Sequence, residues 1–495
     1  MITIDDLPDD ALLEIFDFYV ARYHILVFPG YHDYTIKRKI ESWQTLVHVC
    51  RRWRRLVFVS PRRLNLQLCC TIRRPTRETL DVWPTLPLII YVNAFEMSMD
   101  DVIAELEHSN RICQIGLSCD PTSQIEKLWT AMQVPFPELA VLYLRGLISF
   151  EPVPVLPDSF LGGSAPRLRY LALTSIPFPG LPRLLLSATH LVCLWLVNIP
   201  HSGYISPEAM ATCLSMLTSL ESLQLEFEFG QSCPDLKRRR PFSPTRFILP
   251  TFKIFWFKGV NEYLEELLAQ IDAPQLYQLS ITFFHDIDLD TSELNQFMGR
   301  TPIIGAYNEV HLIFRISEVT VKLQSHPAPS DHMVEVKIVW NVPYRQFSPI
   351  SSLAQICTRA LSLRLLLTME NLYIHDEYSY LPLDWHNDIE NTEWLNLLLP
   401  FSATKNLYLS KQFLPRIAPI LQELTGGRTT EVLPALQNVL LEGFQPSEPV
   451  QEGIANFISS RQLTNHPVAI SVWHKELAWE REQLWGRDSI TLLPS

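Results

Sequence analysis

Few side chains in this sequence have the types and the spacing that catalysis or metal binding needs. The chain of 495 residues contains no phosphate-binding G-x-x-x-x-G-K or G-x-G-x-x-G loop, no zinc-binding H-E-x-x-H helix and no G-x-S-x-G nucleophile turn. Its 14 histidines are scattered, and His474 and Glu476 lack the spacing of a zinc site. We therefore expect no catalytic residue, no metal site and no cofactor.

Two weaker candidates for chemistry have simpler explanations. Asp286, Asp288 and Asp290 alternate as in a calcium-binding loop, but the glycine and the terminal glutamate of an EF-hand are missing at their required offsets. We interpret this stretch as a solvated acidic turn. Cys50 lies on the apolar face of a predicted helix, so we expect a buried structural thiol rather than a nucleophile.

The cysteines and the N-terminal residues bear on the cellular compartment. The nine cysteines are odd in number and form no C-x-x-C pair, and the opening MITIDD contains neither the basic nor the apolar region of a secretory signal. These features favour reduced thiols in a cytoplasmic or nuclear protein. No apolar run approaches the roughly 18–20 residues that span a bilayer, so we expect no membrane partner.

Composition favours a folded protein that does not bind nucleic acid. Hydrophobic residues make up 47% of the chain and charged residues 19%, a balance typical of ordered domains. The net charge of −12 is uneven, because residues 1–80 hold 13 basic and 9 acidic residues whereas the remainder holds 28 and 44. An acidic body argues against general affinity for nucleic acid.

The first sixty residues contain two predicted helices. In the first, Pro8 suits the first helical position, and two aspartates follow it where the helix dipole favours negative charge. Leu12 and Phe16 are four residues apart and therefore share a face. The second predicted helix spans residues 43–57, where apolar residues recur at helical spacing between arginines, and Pro61 indicates a stop shortly after it.

These two segments resemble the F-box, the helical module that docks on the Skp adaptor of Skp–cullin–F-box (SCF) ubiquitin ligases. The resemblance rests on Leu-Pro at residues 7–8, Leu-Leu-x-Ile-Phe at residues 12–16 and Val-Cys-Arg-x-Trp-Arg-x-Leu at residues 49–56. Residues 20–41 exceed the usual F-box spacer, and we interpret them as an insertion. The resemblance implies that the following residues form the adaptor-binding surface and its core: Leu7, Pro8, Leu12, Ile15, Phe16, Leu46, Val49, Cys50, Trp53 and Leu56.

A repeat begins after residue 85. Its template is L-x-x-L-x-L, with other apolar residues allowed, and eight matches start at residues 112, 139, 168, 191, 220, 249, 276 and 307. The steps between them run from 23 to 31 residues, close to the leucine-rich-repeat period of about 20–29. Looser matches start at residues 333, 369, 404 and 436. The last two template residues alternate, so they point inward from short strands that we expect to stack in parallel.

This body resembles the leucine-rich-repeat domains that often follow an F-box, especially in fungal and plant F-box proteins. One position departs from that family: three residues after the last template leucine, where Asn or Cys is usual, the chain has Leu147, Ile176, Ile199, Glu228, Phe257 and Phe284. We therefore expect no asparagine ladder at this position, and turns closed by backbone contacts and apolar packing. Helical returns are predicted at residues 181–186 and 207–217.

Together these patterns predict an α/β fold, with a small N-terminal helical F-box module followed by an irregular solenoid of parallel strands with helical or irregular returns. The predicted segments are a helical module at residues 1–61, a linker at 62–85, a leucine-rich-repeat solenoid at 86–324 and a less regular continuation with a C-terminal cap at 325–495. A proline-rich break at residues 325–331 sets the last boundary. The polar stretch at residues 476–483 predicts a capping helix, beside which Trp473, Trp479 and Trp485 are expected to be core or cap.

One further interruption, a run of four basic residues at 237–240, lies between prolines. We interpret it as an exposed loop, with a nuclear-localisation signal as the alternative.

Residues beside the template leucines point to the opposite face of the sheet, where a partner would bind. The register places these side chains there: Tyr143, Arg145, Tyr170, Trp195, Lys253 and Phe255. Tyr, Trp and Arg often dominate interface energy, so we predict a target-binding stripe. The alternative is that another segment covers the stripe and makes it ordinary core.

The two resemblances imply a non-catalytic subunit of an SCF ubiquitin ligase that recognises the ligase's substrate. Its partners would be a Skp-family adaptor, through it a cullin, and a target protein that the sequence does not name. The target would be held at a high effective concentration near a ubiquitin-conjugating enzyme. The alternative is a non-catalytic leucine-rich-repeat scaffold whose N-terminal helices only cap the repeats.

Overall fold

The computed structural model of this chain divides into two units. Unit 1 comprises Met1–Gln231 and Leu249–Phe252, and unit 2 comprises Ser232–Ile248 and Lys253–Ser495. The structure describes residues 4, 7–21, 43–61, 64, 66–70, 86–92, 99–119, 125–146, 154–228, 246–284, 291–301, 307–315, 317–325, 332–339, 349–361, 363–376, 390–423, 431–443 and 448–473.

Several sequence predictions lie outside the described residues. They are most of the insertion at 20–41 and of the linker at 62–85, Leu147, the basic run at 237–240, the acidic turn at 286–290, most of the break at 325–331, and everything after residue 473. No helix among the described residues is both long enough and apolar enough to cross a membrane.

Unit 1 begins with three helices, α1 (Asp9–Ala21), α2 (Trp43–Val47) and α3 (Arg51–Val59). The carbonyl of Pro8 accepts the first helical hydrogen bond, from the Leu12 N–H at 3.1 Å, so Pro8 precedes α1 as its N-cap instead of occupying its first turn. The second predicted helix is interrupted at Cys50, whose backbone is extended and whose Sγ accepts a hydrogen bond from the Trp53 N–H at 3.4 Å. Cys50 is therefore the half-buried N-cap of α3, and the prediction of a thiol on a buried helical face was wrong.

One face of α1 packs against α2 and α3. Leu12, Phe16 and Trp43 are fully buried, and the rings of Phe16 and Trp53 lie 4.7 Å apart between centroids. Trp43 Nε1 donates a hydrogen bond to the Gln67 carbonyl at 2.9 Å, which ties the helices to the residue before the first strand. A small apolar core thus holds the three helices together.

In the described part of unit 1, seven parallel strands pair in chain order. They are β1 (Leu68–Cys70), β2 (Leu88–Val92), β3 (Ile112–Cys119), β4 (Val141–Gly146), β5 (Tyr170–Thr174), β6 (Cys193–Ile199) and β7 (Ser222–Phe227). Helices return between them: α4 (Met99–Leu106), α5 (Ile125–Ala131), α6 (Leu181–Leu185) and α7 (Pro207–Met216). The last two confirm the predicted helical returns.

Template leucines from successive strands stack into two ladders on the inner face of this sheet. The first ladder joins Leu142, Leu171, Leu194 and Leu223, and the second joins Leu144, Leu173, Leu196 and Leu225. None of these side chains is more than 3% exposed. Full burial of a leucine side chain stabilises a fold by about 1.5–3 kcal/mol, so the ladders account for much of the core of unit 1. The inward register predicted for these repeats is confirmed.

The strand ends of unit 1 confirm turns closed by backbone bonds and apolar packing. The N–H of Ser175 donates to the Val197 carbonyl at 2.9 Å, and the N–H of Glu228 donates to the Ile199 carbonyl at 3.0 Å. Ile176 and Ile199 are both buried where an asparagine is usual in leucine-rich repeats. Apolar side chains therefore take the place of an asparagine at these turns.

Unit 2 is also built on paired strands. Its strands are β9 (Ile254–Gly259), β11 (Gln278–Phe284), β12 (Glu309–Phe314), β13 (Glu318–Gln324), β14 (Met333–Val339), β15 (Asn371–Asp376), β16 (Asn406–Leu409), β17 (Asn438–Glu442) and β18 (Ala469–Trp473). A separate pair of short parallel strands consists of β8 (Phe247–Ile248) and β10 (Ile271–Asp272). The returns include α8 (Asn261–Leu268), α9 (Ser292–Arg300), α10 (Pro349–Gln355), α11 (Leu363–Leu366), α12 (Asn391–Leu398), α13 (Leu414–Glu423) and α14 (Glu448–Leu463).

The strands of unit 2 depart from chain order at the antiparallel meander formed by β12, β13 and β14. The spatial order is β9-β11-β14-β13-β12-β15-β16-β17-β18, and β13 runs antiparallel to both of its neighbours. The expectation of parallel strands throughout was wrong here, because three residues join β12 to β13 and a parallel connection needs a crossover of a dozen or more. The template matches starting at residues 369, 404 and 436 are buried and form parallel strands, as predicted.

The register of β9 differs from the predicted one by one residue. Phe255 and Phe257 point inward and are buried, whereas Ile254 and Trp256 are half-buried on the opposite face. The template match Leu249-Phe252-Ile254 therefore assigns the inward position one residue too early: Phe255, and not Ile254, points inward. Lys253 lies just before β9, half-buried, and Phe255 is 1% exposed, so Phe255 cannot belong to the outer stripe.

Candidate protein-binding surfaces

Helix α1 carries a second apolar face beside the one that is buried. Ile15, Phe18 and Tyr19 are spaced by three and four residues, which places them together on one side of the helix. Their exposed fractions are 45%, 64% and 39%. We call these three residues the α1 stripe. Exposed aromatic and aliphatic side chains in a continuous group are typical of a binding surface.

The structure divides the predicted adaptor-binding residues into core and surface. Leu12, Phe16 and Leu46 are buried, and Leu7, Cys50, Trp53 and Leu56 are half-buried. Pro8, Ile15 and Val49 are exposed. Sequence reasoning missed Phe18 and Tyr19, although their spacing from Ile15 was a signal that could have indicated them.

An ion pair fixes the start of α1 against α3. Arg52 Nε and Nη2 both approach Asp9 Oδ1, at 3.0 and 2.7 Å, and Nη2 also donates to the Leu7 carbonyl at 2.5 Å. The arrangement connects the residues before α1 to α3 on the outside of the helical core. Since both side chains are partly exposed, its contribution is to orientation more than to stability.

A row of outward-facing residues crosses the outer face of the sheet in unit 1, and its first five members alternate between large and small. In strand order its members are Tyr91, Gly116, Tyr143, Ala172, Trp195 and Gln224. A Cβ atom at Gly116 would lie 2.9 Å from Tyr91 Cδ2, so the ring of Tyr91 lies over this glycine. Ala172 similarly sits between Tyr143 and Trp195.

An apolar recess opens on this row. Its lining includes Tyr143, Tyr170, Ala172, Cys193 and Trp195, and nearly all of its surface is apolar. Three of the predicted target-binding residues, Tyr143, Tyr170 and Trp195, are therefore brought together. Burial raises the pKa of the Tyr143 and Tyr170 hydroxyls above their usual values, so both remain neutral at physiological pH.

Two charged side chains lie two residues further along their strands than the members of this row. Arg145 is exposed on β4 and makes no ion pair with any described residue. Glu226 lies on β7 and accepts a hydrogen bond from Gln224 Nε2 at 2.5 Å. Between them Asn198 takes a left-handed backbone conformation (φ 53°), and the pairing of β6 with β7 shifts there, as in a β-bulge.

Six of the described cysteines form no disulfide with one another, and most of them are buried. Cys69, Cys193, Cys213 and Cys357 are buried, and Cys50 and Cys113 are half-buried. Burial raises the pKa of Cys193 and of Cys113 to about 12. Thiols in such surroundings stay protonated and are poor nucleophiles. In the part of the chain that the structure describes, no three His, Cys, Asp or Glu side chains are grouped to hold a metal ion.

Unit 2 has its own column of aromatic rings, which sequence reasoning missed. His311 stacks on Tyr373 at 4.3 Å between centroids, Tyr373 stacks on Tyr408 at 4.0 Å, and Trp473 meets Tyr408 edge-on at 5.6 Å. Burial is the main cause that raises the pKa of Tyr373, and Glu309 and Tyr408 add to the shift. Stacked rings have most of their faces covered by one another, so the column is a rigid part of the sheet.

An asparagine ladder runs beside this column. Asn438 Nδ2 donates to Asn406 Oδ1 at 2.7 Å, and Asn406 Nδ2 donates to Asn371 Oδ1 at 2.7 Å. The ladder lies at the first residue of each strand rather than after the last template leucine. The repeated Asn-Leu-Tyr at residues 371–373 and 406–408 was the signal that could have revealed both the ladder and the column.

No protein-family profile matches the chain, and no curated protein matches it. A solved structure similar to the chain is the leucine-rich repeat-containing protein LegL7 from Legionella pneumophila, at 13% sequence identity. The match covers 70% of this chain and 90% of that chain, with a TM-score of 0.27. At that TM-score the likeness supports no further conclusion, and the repeat architecture rests on the strand pairing and the leucine ladders.

Proposed function

We propose that the chain is the substrate-recognition subunit of an SCF ubiquitin ligase and docks a Skp-family adaptor through its N-terminal helices. The observation that carries this proposal is the α1 stripe. A helix that buries Leu12 and Phe16 in its own module would be expected to present polar residues elsewhere. Instead α1 exposes two aromatic side chains and an isoleucine next to its buried face. Covering such a group with a partner removes apolar surface from water.

Charge on α3 supports a partner of acidic character. Arg51 and Arg55 are exposed on this helix, and no acidic residue occurs within it. A basic rim beside an apolar centre increases the rate of encounter with an acidic surface and fixes its orientation. The Arg52–Asp9 pair holds α1 and α3 in one arrangement, so little ordering is required when the partner binds.

The remainder of the chain would hold the target protein. The outer face of unit 1 offers a shallow apolar recess, and the leucine ladders fix the parallel strands beneath it. The protein would break no bond itself. Its contribution would be to keep a bound target at high effective concentration near the ubiquitin-conjugating enzyme.

Affinity purification of paired variants tests the adaptor role. The full chain should recover a Skp-family adaptor and a cullin, and Ile15→Asp should abolish this recovery because a carboxylate would be placed within the apolar contact. Met216→Asp is the matched control, since Met216 is a similarly exposed residue (49% against 45%) on helix α7 of the same unit. Recovery of the adaptor by Ile15→Asp would refute the proposed surface. A wild-type chain that recovers neither protein would leave the non-catalytic scaffold as the function.

A further inference from the structure

We propose that two copies of this chain associate through β18, which pairs antiparallel with β18 of the second copy about a two-fold axis at Ser471. This association would be independent of the ligase role. Three features of unit 2 lead to it: an open strand edge, two apolar ladders that end in exposed side chains, and a last repeat with little charge.

The outer edge of β18 carries backbone groups that a second strand can bind. β18 is last in the spatial order, and no described strand pairs with its outer edge. The Ala469 N–H donates to the Gln437 carbonyl at 2.8 Å, and the Trp473 carbonyl accepts a hydrogen bond on the same side. The N–H and C=O groups of Ile470 and Val472 therefore point away from β17. Natural edge strands often carry lysine, proline or a bulge that blocks further pairing, but β18 contains neither residue and pairs without a bulge.

Two apolar ladders of the unit 2 core end in exposed side chains on β18. The ladders join these residues in strand order: Leu372, Leu407, Val439 and Ile470 in one, and Ile374, Leu409, Leu441 and Val472 in the other. The first three members of each ladder are at most 5% exposed, whereas Ile470 is 43% and Val472 is 55% exposed. A further strand beside β18 would remove these two side chains from water, as each inner repeat does for its neighbour.

A two-fold axis determines the direction and the register of the second strand. Strands that such an axis relates within one sheet run antiparallel, and an axis at the middle residue pairs all five residues of β18. Ile470 then exchanges backbone hydrogen bonds with Val472 of the second copy, and their side chains meet on the inner face. Ser471 faces Ser471 of the second copy in a non-hydrogen-bonded pair, with Cα atoms about 4.5 Å apart. Trp473 leaves the edge clear, because its Nε1 reaches back to the Leu409 carbonyl on β16 at 3.2 Å.

The low charge of the last repeat favours a second copy as the partner. The chain has a net charge of −12, so two copies repel each other unless their facing surfaces carry little charge. Helix α14 and β18 offer such a surface, because Glu452 is the only Asp, Glu, Lys or Arg among the exposed residues from 451 to 472. Depletion of charged residues is typical of the core of an interface. In a symmetric contact each surface meets its own image, which a nearly uncharged surface can do without repulsion.

Sedimentation velocity of the full-length chain over a series of concentrations tests the association. The wild-type chain should sediment as a particle of two chains in equilibrium with single chains. Val472→Lys should raise the dimer dissociation constant at least about tenfold, because the symmetry places two lysines within the apolar contact. Leu399→Lys is the matched control, since Leu399 is 48% exposed just after α12 of the same unit, and it should associate like the wild-type chain. The circular dichroism spectra of both variants should match that of the wild-type chain.

Cysteine substitutions on β18 test the register. Ser471→Cys places two thiols opposite each other across the axis, so mild oxidation should give a disulfide-linked dimer on a non-reducing gel. Ala469→Cys is the matched control, because residue 469 lies on the same face of β18 but about 13 Å along the strands from its copy, too far for a disulfide. The wild-type chain, oxidised in parallel, accounts for the native thiols.

Three results would overturn the proposal: a wild-type chain that sediments as a single chain at every concentration, a dimer that Val472→Lys leaves as stable as the wild type, or a dimer in which Ser471→Cys cross-links no more than Ala469→Cys. The first result would mean that another segment or another protein covers β18. A chain that recovers the adaptor but does not self-associate would refute only the dimer. A dimer that recovers no adaptor would refute only the ligase role.

Discussion

The leucine ladders of unit 1 make a quantitative prediction about Leu194. This side chain is fully buried in β6, and its partners Leu171 and Leu223 on both sides are equally buried. We expect Leu194→Ala to lower the free energy of unfolding by about 4 kcal/mol. Loss of three carbon groups accounts for about 2.4 kcal/mol of transfer free energy. A cavity of about 60 Å³ left between ladder neighbours that cannot collapse adds about 1.4 kcal/mol.

Leu186 provides the matched control for this substitution. It is 48% exposed at the end of α6 in the same unit, so Leu186→Ala removes the same atoms from a site already in contact with water. The expected loss is under about 1 kcal/mol. Urea unfolding followed by far-ultraviolet circular dichroism measures both variants and the wild-type chain under identical conditions. Equal losses in Leu194→Ala and Leu186→Ala would refute the inward register of β6.

Two other predictions concern the asparagine ladder and the buried thiol. Asn406→Ala should destabilise the chain by about 1–3 kcal/mol, because it removes both ladder hydrogen bonds, one to the Asn371 amide and one from the Asn438 amide. An unchanged urea midpoint would contradict this prediction. Burial raises the pKa of Cys193 from 9.0 to about 12, so its stabilising contribution is complete below pH 9 and is lost as pH rises towards 12. The free energy of unfolding, measured between pH 8 and 11, should therefore fall by up to about 1.4 kcal/mol per pH unit because of this thiol. Cys193→Ala should make the fall less steep. An equally steep fall in the variant would contradict the raised pKa.

The repeat of unit 1 could be predicted from sequence because each strand supplies two alternating leucines, and the turn before it supplies a third. Leu168, Leu171 and Leu173 show the pattern, and all three are buried as expected. The same reasoning failed at β9, where apolar residues occupy every position from Ile254 to Phe257. With no polar residue to mark the outer face, alternation does not distinguish the two registers, and only packing places Phe255 inside.

The reversed strand of unit 2 was missed for a different reason. The template identifies inward-pointing residues, which look the same in parallel and antiparallel strands. The direction of β13 depends on the short connection from β12, where the N–H of Arg315 donates to the Glu318 carbonyl at 3.0 Å. Loop length was therefore the relevant signal, and the period of the repeat was not.

The candidate surfaces were only partly predictable. Tyr143, Tyr170 and Trp195 were placed correctly on the outer face of unit 1, because strand alternation determines that face once the leucines are assigned. The recess itself depends on Ala172 and on the hydrogen bonds that orient the rings, which no sequence pattern specifies. On α1, the sequence pattern indicated the buried face but not the exposed one. Apolar residues on adjacent sides of the helix had all been assigned to one face.

The measurement that tests the central claim most directly is isothermal titration of the purified full-length chain with a purified Skp-family adaptor. The α1 stripe predicts one adaptor per chain, with a Kd at or below about 1 µM, and a loss of at least about a hundredfold in Ile15→Asp while Met216→Asp binds like the wild-type chain. Absence of binding by the wild-type chain, or equal affinities for Ile15→Asp and Met216→Asp, would contradict the assignment of the N-terminal helices as an adaptor-docking module.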